Sequence, residues 1–239
     1  MSNLTTWALR VAVAGALVAV AGPLAYKLRR LDLGAALLSV SVGGLLSLLV
    51  LGVLVVAIVK SGQLVLDRQA VVAAAIALVV GAFPLFSAVS AFRWPPIHDI
   101  TTDTEDPPLF DAVVPLRAAA PNTHEYPGEE VAAAERKAYP DLAAGTSRRS
   151  PREAAETVRE IAQSMGWHII AFDAETGRLE ATATSFWFGF RDDVVVRIRE
   201  KGGGSEIDLR SVSRVGRSDL GANAARIRAF LERLRAAEG

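Results

Sequence analysis

Five arginines, Arg197, Arg199, Arg210, Arg214 and Arg217, are the side chains best placed for chemistry in this 239-residue sequence. Their spacing sets them on neighbouring extended segments and in the turn before a final helix. Gly216-Arg217-Ser218-Asp219 opens that helix, where free backbone N–H groups can receive an anion. A phosphate, a lipid head group or an acidic glycan suits such a face. Against this, Asp192, Asp193 and Asp208 can neutralise the arginines in structural salt bridges, and Asp219 can occupy the helix cap itself.

A second cluster, His98, Asp99, Asp103, Glu105 and Asp106, gathers nitrogen and oxygen ligands of the kind a divalent cation accepts. The spacing matches no metal loop and offers no glycine at a turn position. No metal is therefore assigned; His98, Asp99 and Asp103 stay as candidate ligands beside the reading of a solvated acidic connector. The run Phe186-Trp187-Phe188-Gly189-Phe190 is more aromatic than one strand face requires, because alternate side chains point to opposite faces. Trp187 thus joins the arginines as a candidate partner surface or membrane contact. The competing reading is a second small core under the connector.

No catalytic motif is found. His124 and His168 lack catalytic partners nearby in sequence. Ser185, Ser211 and Ser213 sit in no nucleophile-elbow pattern. Gly202-Gly203-Gly204 is a turn without the lysine of a phosphate-cradling loop. With no cysteine in the chain, disulfides, thiolate catalysis, cysteine lipidation and Cys-ligated metals are excluded. No cofactor is implied.

The elements that must position these residues fall into two unlike halves. The chain is 51% hydrophobic yet 22% charged, with net charge +0. Residues 1–93 hold only 7 basic and 2 acidic side chains, which leaves 19 basic and 24 acidic for residues 94–239. That mildly acidic half argues against a nucleic-acid partner. Residues 33–59 and 69–92 are uncharged and long enough to cross a bilayer. The first span is placed at about residues 4–26, with Arg10 snorkelling to the head groups. A cleavable signal is the competing reading for that span, but Lys27, Arg29 and Arg30 follow its apolar run rather than precede it.

Small residues recur four apart in each span: Ala12 and Ala16; Ser39, Gly43 and Ser47; Ala73, Ala77 and Gly81. Such stripes let helix backbones approach closely. Pro84 is expected to kink the third span. No Asp, Glu, Lys or His lies mid-span, so a packed three-helix anchor is expected rather than an ion pathway. The lipid bilayer is one partner. The loop charges leave the orientation open.

The soluble half, residues 94–239, starts with a proline-rich extended connector at 95–127, within which 111–116 can form an edge strand. A short helix is expected over 128–138 and a loop over 143–149. Ser150-Pro151-Arg152-Glu153 reads as a capping box with proline at the first helical position. Its helix runs to Met165 and ends at Gly166. Strands are expected over 167–172, 178–188, 193–199 and 206–215, then an amphipathic helix capped by Ser218 or Asp219. The fold class is α+β: a three-helix transmembrane anchor, then an antiparallel four-strand meander flanked by helices, with one wet sheet face.

Three runs carry a family resemblance: residues 95–103 (PPIHDITTD), 181–193 (ATATSFWFGFRDD) and 210–223 (RSVSRVGRSDLGAN). Over residues 95–235 the sequence resembles domain-of-unknown-function family 1499. Many relatives open with a Cys-Pro…Pro-Asn-Cys stretch that is missing here, so no role of those thiols carries over. The family brings no assigned activity. Its members are often small envelope or lumenal proteins, which implies an extracytoplasmic domain on a bacterial inner membrane. The expectation is a non-catalytic binding module for an envelope protein or anionic ligand. The alternative is an envelope enzyme acting on lipid or cell-wall material.

Overall fold

The computed structural model describes residues 2–62 and 67–238 and divides into two compact units, Met1–Ser90 and Ala91–Gly239. Three helices, α1 (Ser2–Lys27), α2 (Leu33–Ser61) and α3 (Arg68–Arg93), are each long and apolar enough to cross a membrane. Asp32 caps α2 by accepting the Ala35 N–H at 2.9 Å, and Gly62 closes it in the left-handed conformation.

In this unit the small residues face inward. Ala8, Ala12, Ala70, Ala73 and Ala77 are buried with Val50 and Leu54. A side chain on Gly43 would come within 3 Å of the Gly15 carbonyl, so α1 and α2 touch backbone to backbone there. The Pro84 ring occupies the space opposite Gly44, where an added Cβ would lie 2.5 Å from its Cγ. Leucines and valines such as Leu38, Leu45, Val59 and Val79 point outward, the arrangement a lipid solvent favours.

The second unit runs β1 (Asp99–Thr101), a 3₁₀ turn (Val114–Arg117), α4 (Glu129–Ala138), β2 (Gly145–Ser147), α5 (Pro151–Ser164), β3 (His168–Asp173), β4 (Arg178–Thr184), β5 (Arg191–Lys201), β6 (Gly204–Ser213) and α6 (Ala222–Glu238). Strands β3 to β6 form the antiparallel meander. The α5 start closes as a capping box, with the Ser150 N–H donating to Glu153 Oε2 at 3.1 Å. Gly177 adopts φ +63° in the β3–β4 hairpin and approaches the Ile198 carbonyl so closely that only glycine fits. Helices α5 and α6 cover one face of the sheet. Val158, Ile161, Ile227, Phe230 and Leu234 pack there on Leu179, Val194, Val196, Ile207 and Leu209.

Four expectations are corrected. The edge strand is not 111–116: the Asp111 and Val113 N–H groups donate to the Glu180 carboxylate at 2.9 and 3.0 Å, and Pro115 lies in the 3₁₀ turn that follows. The edge is filled instead by β1 and β2, both antiparallel to β6, at Arg210–Val212 and Ser205–Ile207. The expected loop over 143–149 therefore contains a strand, and the sheet has six strands. Strand β4 stops at Thr184, because Ser185 turns the chain with its N–H on the Phe190 carbonyl at 2.8 Å. Finally, the second sheet face is not wet. The chain after β1 lies over it, with Phe110 and Val113 packed on Val195 and Val212.

Candidate functional site

Strand alternation puts Glu180 and Thr182 of β4, Asp193, Arg197 and Arg199 of β5, and Asp208 and Arg210 of β6 on the covered face, with Arg214 just past the end of β6. Asp99 of β1 joins them through its carboxylate. Covered charges need partners, since an isolated ion away from water is expensive. Arg210 is 0% exposed and forks onto Asp99, Nε to Oδ1 at 2.9 Å and Nη2 to Oδ2 at 2.7 Å. Its guanidinium also donates to the Pro108 and His124 carbonyls and lies against the Phe110 and Tyr126 rings. Burial raises the Asp99 carboxyl, while Arg210 pulls it back.

A second node centres on Asp193. It accepts from Arg117 at 2.6 Å, from Arg214 at 2.9 and 2.8 Å, and from Thr182 at 2.7 Å. Burial lowers the Arg117 guanidinium and Asp193 opposes that shift. A third, more open node joins Arg197 and Arg199 to Asp103, Asp106 and Asp208, with Arg199 and Lys201 also on Glu206. Four carboxylates thus meet three cations, so this patch is no anion receptor by charge.

The structure accordingly engages Arg197, Arg199, Arg210 and Arg214 in internal pairs. Arg217 and Trp187 lie elsewhere, at one end of the sheet, and both are exposed. The helix start that offered an anion site is filled by the chain itself: Asp219 accepts the Gly221 and Asn223 N–H groups at 2.9 and 2.7 Å. The candidate metal ligands do not converge. Asp99 is held by Arg210, Asp103 by Arg197 and Arg199, and the His98 carbonyl accepts from Ser213 and Asn223. Among the described residues no three such groups come together as a metal site.

The aromatic run divides. Phe188 is buried and stacks on Phe190 at 4.7 Å, while Phe186 is 84% and Trp187 57% exposed at the β4–β5 tip. Beside this end a cleft of about 300 Å³ is lined by Trp167, Ser185 and Arg226, among others.

One group escaped sequence reasoning altogether. Glu135 of α4 is 1% exposed, and its Oε1 accepts the Thr101 N–H at 2.6 Å. Burial pushes its carboxyl up to about 8, against that hydrogen bond, so it carries a proton at neutral pH. It lines a cleft of about 390 Å³ with Thr101, Thr102, Arg136 and Tyr139. The Tyr139 hydroxyl is buried without a hydrogen-bond partner among the described residues, and burial raises it to about 12. The only sequence signal was a glutamate one helical turn after Val131 on an otherwise apolar-facing stripe, which does not separate buried from solvated.

A family model described as a protein of unknown function (DUF1499) matches residues 99–234, which include β1 and most of α6. No match is found among the curated proteins.

Proposed function

The chain belongs to the DUF1499 family of proteins of unknown function, and from that premise we propose a membrane-anchored cell-envelope protein whose soluble domain is a non-catalytic binding module. In this reading the three helices sit in a bacterial inner membrane and the domain is extracytoplasmic. One contrast supports a binding role. Arg197, Arg199, Arg210 and Arg214 are locked in internal pairs, whereas Trp187 and Arg217 are offered at one end of a rigid sheet. The ion-paired interior keeps that end in a fixed geometry, which lowers the entropy lost on binding. The partner classes that suit it are an envelope protein or an anionic ligand.

Photo-crosslinking in native membranes tests this reading. The full chain carries the crosslinking amino acid at position 187, or at position 175 in the β3–β4 turn at the opposite end of the sheet. Adducts are expected at 187 and not at 175, and Arg217→Glu should reduce them. Equal labelling at both positions refutes a binding surface at this end.

The Glu135 cleft favours a second reading, an envelope enzyme acting on lipid or cell-wall material. A protonated carboxylic acid at neutral pH is a ready general acid. Turnover of such material by the solubilised protein, lost in Glu135→Gln, would support it; equal turnover by both proteins would exclude Glu135.

A further inference from the structure

Five large apolar side chains of the second unit are exposed among the described residues: Leu109, Leu116, Phe186, Trp187 and Leu220. They are not scattered. Arg214 ties the Leu116 carbonyl to the end of the sheet where its own N–H meets the Arg191 carbonyl. Arg191 pairs with Thr184, next to the Phe186–Trp187 tip. Leu220 follows Asp219, whose N–H donates to the Ile97 carbonyl. Four of the five therefore share one end; Leu109, whose carbonyl accepts from Arg178, lies at the other.

That end is where the polypeptide enters the domain. Trp94 packs against Gly221, Ser218 donates to the Pro95 carbonyl, and Ser213 donates its N–H to His98 O. Only residues 94–98 separate the end of α3 from β1, a tether of at most about 20 Å even when extended. Two exposed cations, Arg191 and Arg217, stand at the same end, and neither forms an ion pair among the described residues. The aromatic tip is held in shape before any contact: Phe190 N–H donates to Ser185 Oγ at 2.9 Å, Gly189 N–H to Ser185 O at 3.1 Å, and Gly189 takes φ +67°.

An exposed Phe-Trp pair flanked by arginines, on a short tether to a membrane helix, has the chemistry of an interfacial contact. Tryptophan favours the head-group layer, and arginine favours anionic lipid. We propose that Phe186 and Trp187 seat in the interfacial layer of an anionic bilayer, with Arg191 and Arg217 on its head groups. The bilayer then covers this end of the sheet and holds the domain on the membrane surface. The proposal rests on the binding reading above and names its partner as lipid.

The absence of cysteine allows a clean test. Full-length protein with a single Trp187→Cys, Phe186→Cys or Glu175→Cys change is labelled with an environment-sensitive fluorophore. It is reconstituted into phosphatidylcholine vesicles with or without phosphatidylglycerol. Labels at 186 and 187 should be quenched by brominated lipid and shielded from aqueous iodide, and the label at 175 should show the reverse. Arg191→Gln and Arg217→Gln should each lower the shielded-to-open ratio in anionic vesicles about fivefold. Labels at 186 and 187 as open to iodide as the label at 175 would overturn the proposal. Crosslinks from position 187 to protein in native membranes would then still leave the binding reading intact. Shielding that ignores lipid charge would overturn the roles of Arg191 and Arg217.

Discussion

Replacing Glu135 with glutamine should remove a pH dependence of stability that runs opposite to ordinary acid denaturation. Glu135 is buried, with its carboxyl raised from 4.5 to about 8 chiefly by desolvation and further by Asp99. The unfolded chain releases this proton near pH 4.5, whereas the folded domain keeps it until about pH 8. Folding therefore takes up a proton throughout that window. The stabilisation is complete below pH 4.5 and is lost as pH rises through the folded value. At about 1.4 kcal/mol per pH unit, roughly 3 kcal/mol is gone by neutral pH.

Glutamine cannot ionise, yet its carbonyl oxygen can still accept the Thr101 N–H. The variant should lose the slope and keep the contact. Pulse proteolysis in urea on the detergent-solubilised full chain, over pH 4.5 to 8, reads the midpoint of the soluble unit. Other carboxylates cancel in the difference between wild type and variant. Their curves should diverge with pH, the variant gaining relative stability toward pH 8. Parallel midpoints across the window would refute a protonated Glu135.

Arg210→Met should destabilise the soluble unit by about 3–5 kcal/mol, because it leaves the buried Asp99 carboxylate without its partner. The double variant Asp99→Asn with Arg210→Met should recover most of that loss in the same proteolysis assay. Gly177→Ala should cost about 2 kcal/mol or more, since alanine must take a positive φ and its Cβ meets the Ile198 carbonyl. An unchanged urea midpoint would contradict that hairpin geometry. In the helical unit, Gly43→Val should weaken α1–α2 packing by about 1–3 kcal/mol, seen as a lower thermal midpoint of the unit in detergent.

Much of the architecture was legible in the residues themselves. Apolar runs about as long as a bilayer is thick satisfy their backbone as helices, so two uncharged spans and a first one carrying Arg10 followed from composition. Period-two alternation and Gly-rich turns marked the four meander strands, and the Ser150–Glu153 capping box marked the start of α5. The last two quoted runs also carried the family. The residues proposed for chemistry were a different matter. Alternation says that Arg210 and Arg214 share a face, but it cannot say what covers that face.

The cover comes from residues 102–127, which have no periodicity. Their contacts span great sequence distances: Asp99 meets Arg210, 111 positions away, and Arg117 meets Asp193. Strands of three residues are likewise invisible, since β1 and β2 exist because β6 offers them an edge. Local pattern thus determined which elements form and which of their sides are polar. Only tertiary packing decided that the polar side of the sheet is an interior held by ion pairs. It also left Trp187 and Arg217, rather than the other arginines, facing outward. The reason is electrostatic: a charge away from water is tolerated only beside its partner, and the partners here come from distant parts of the chain.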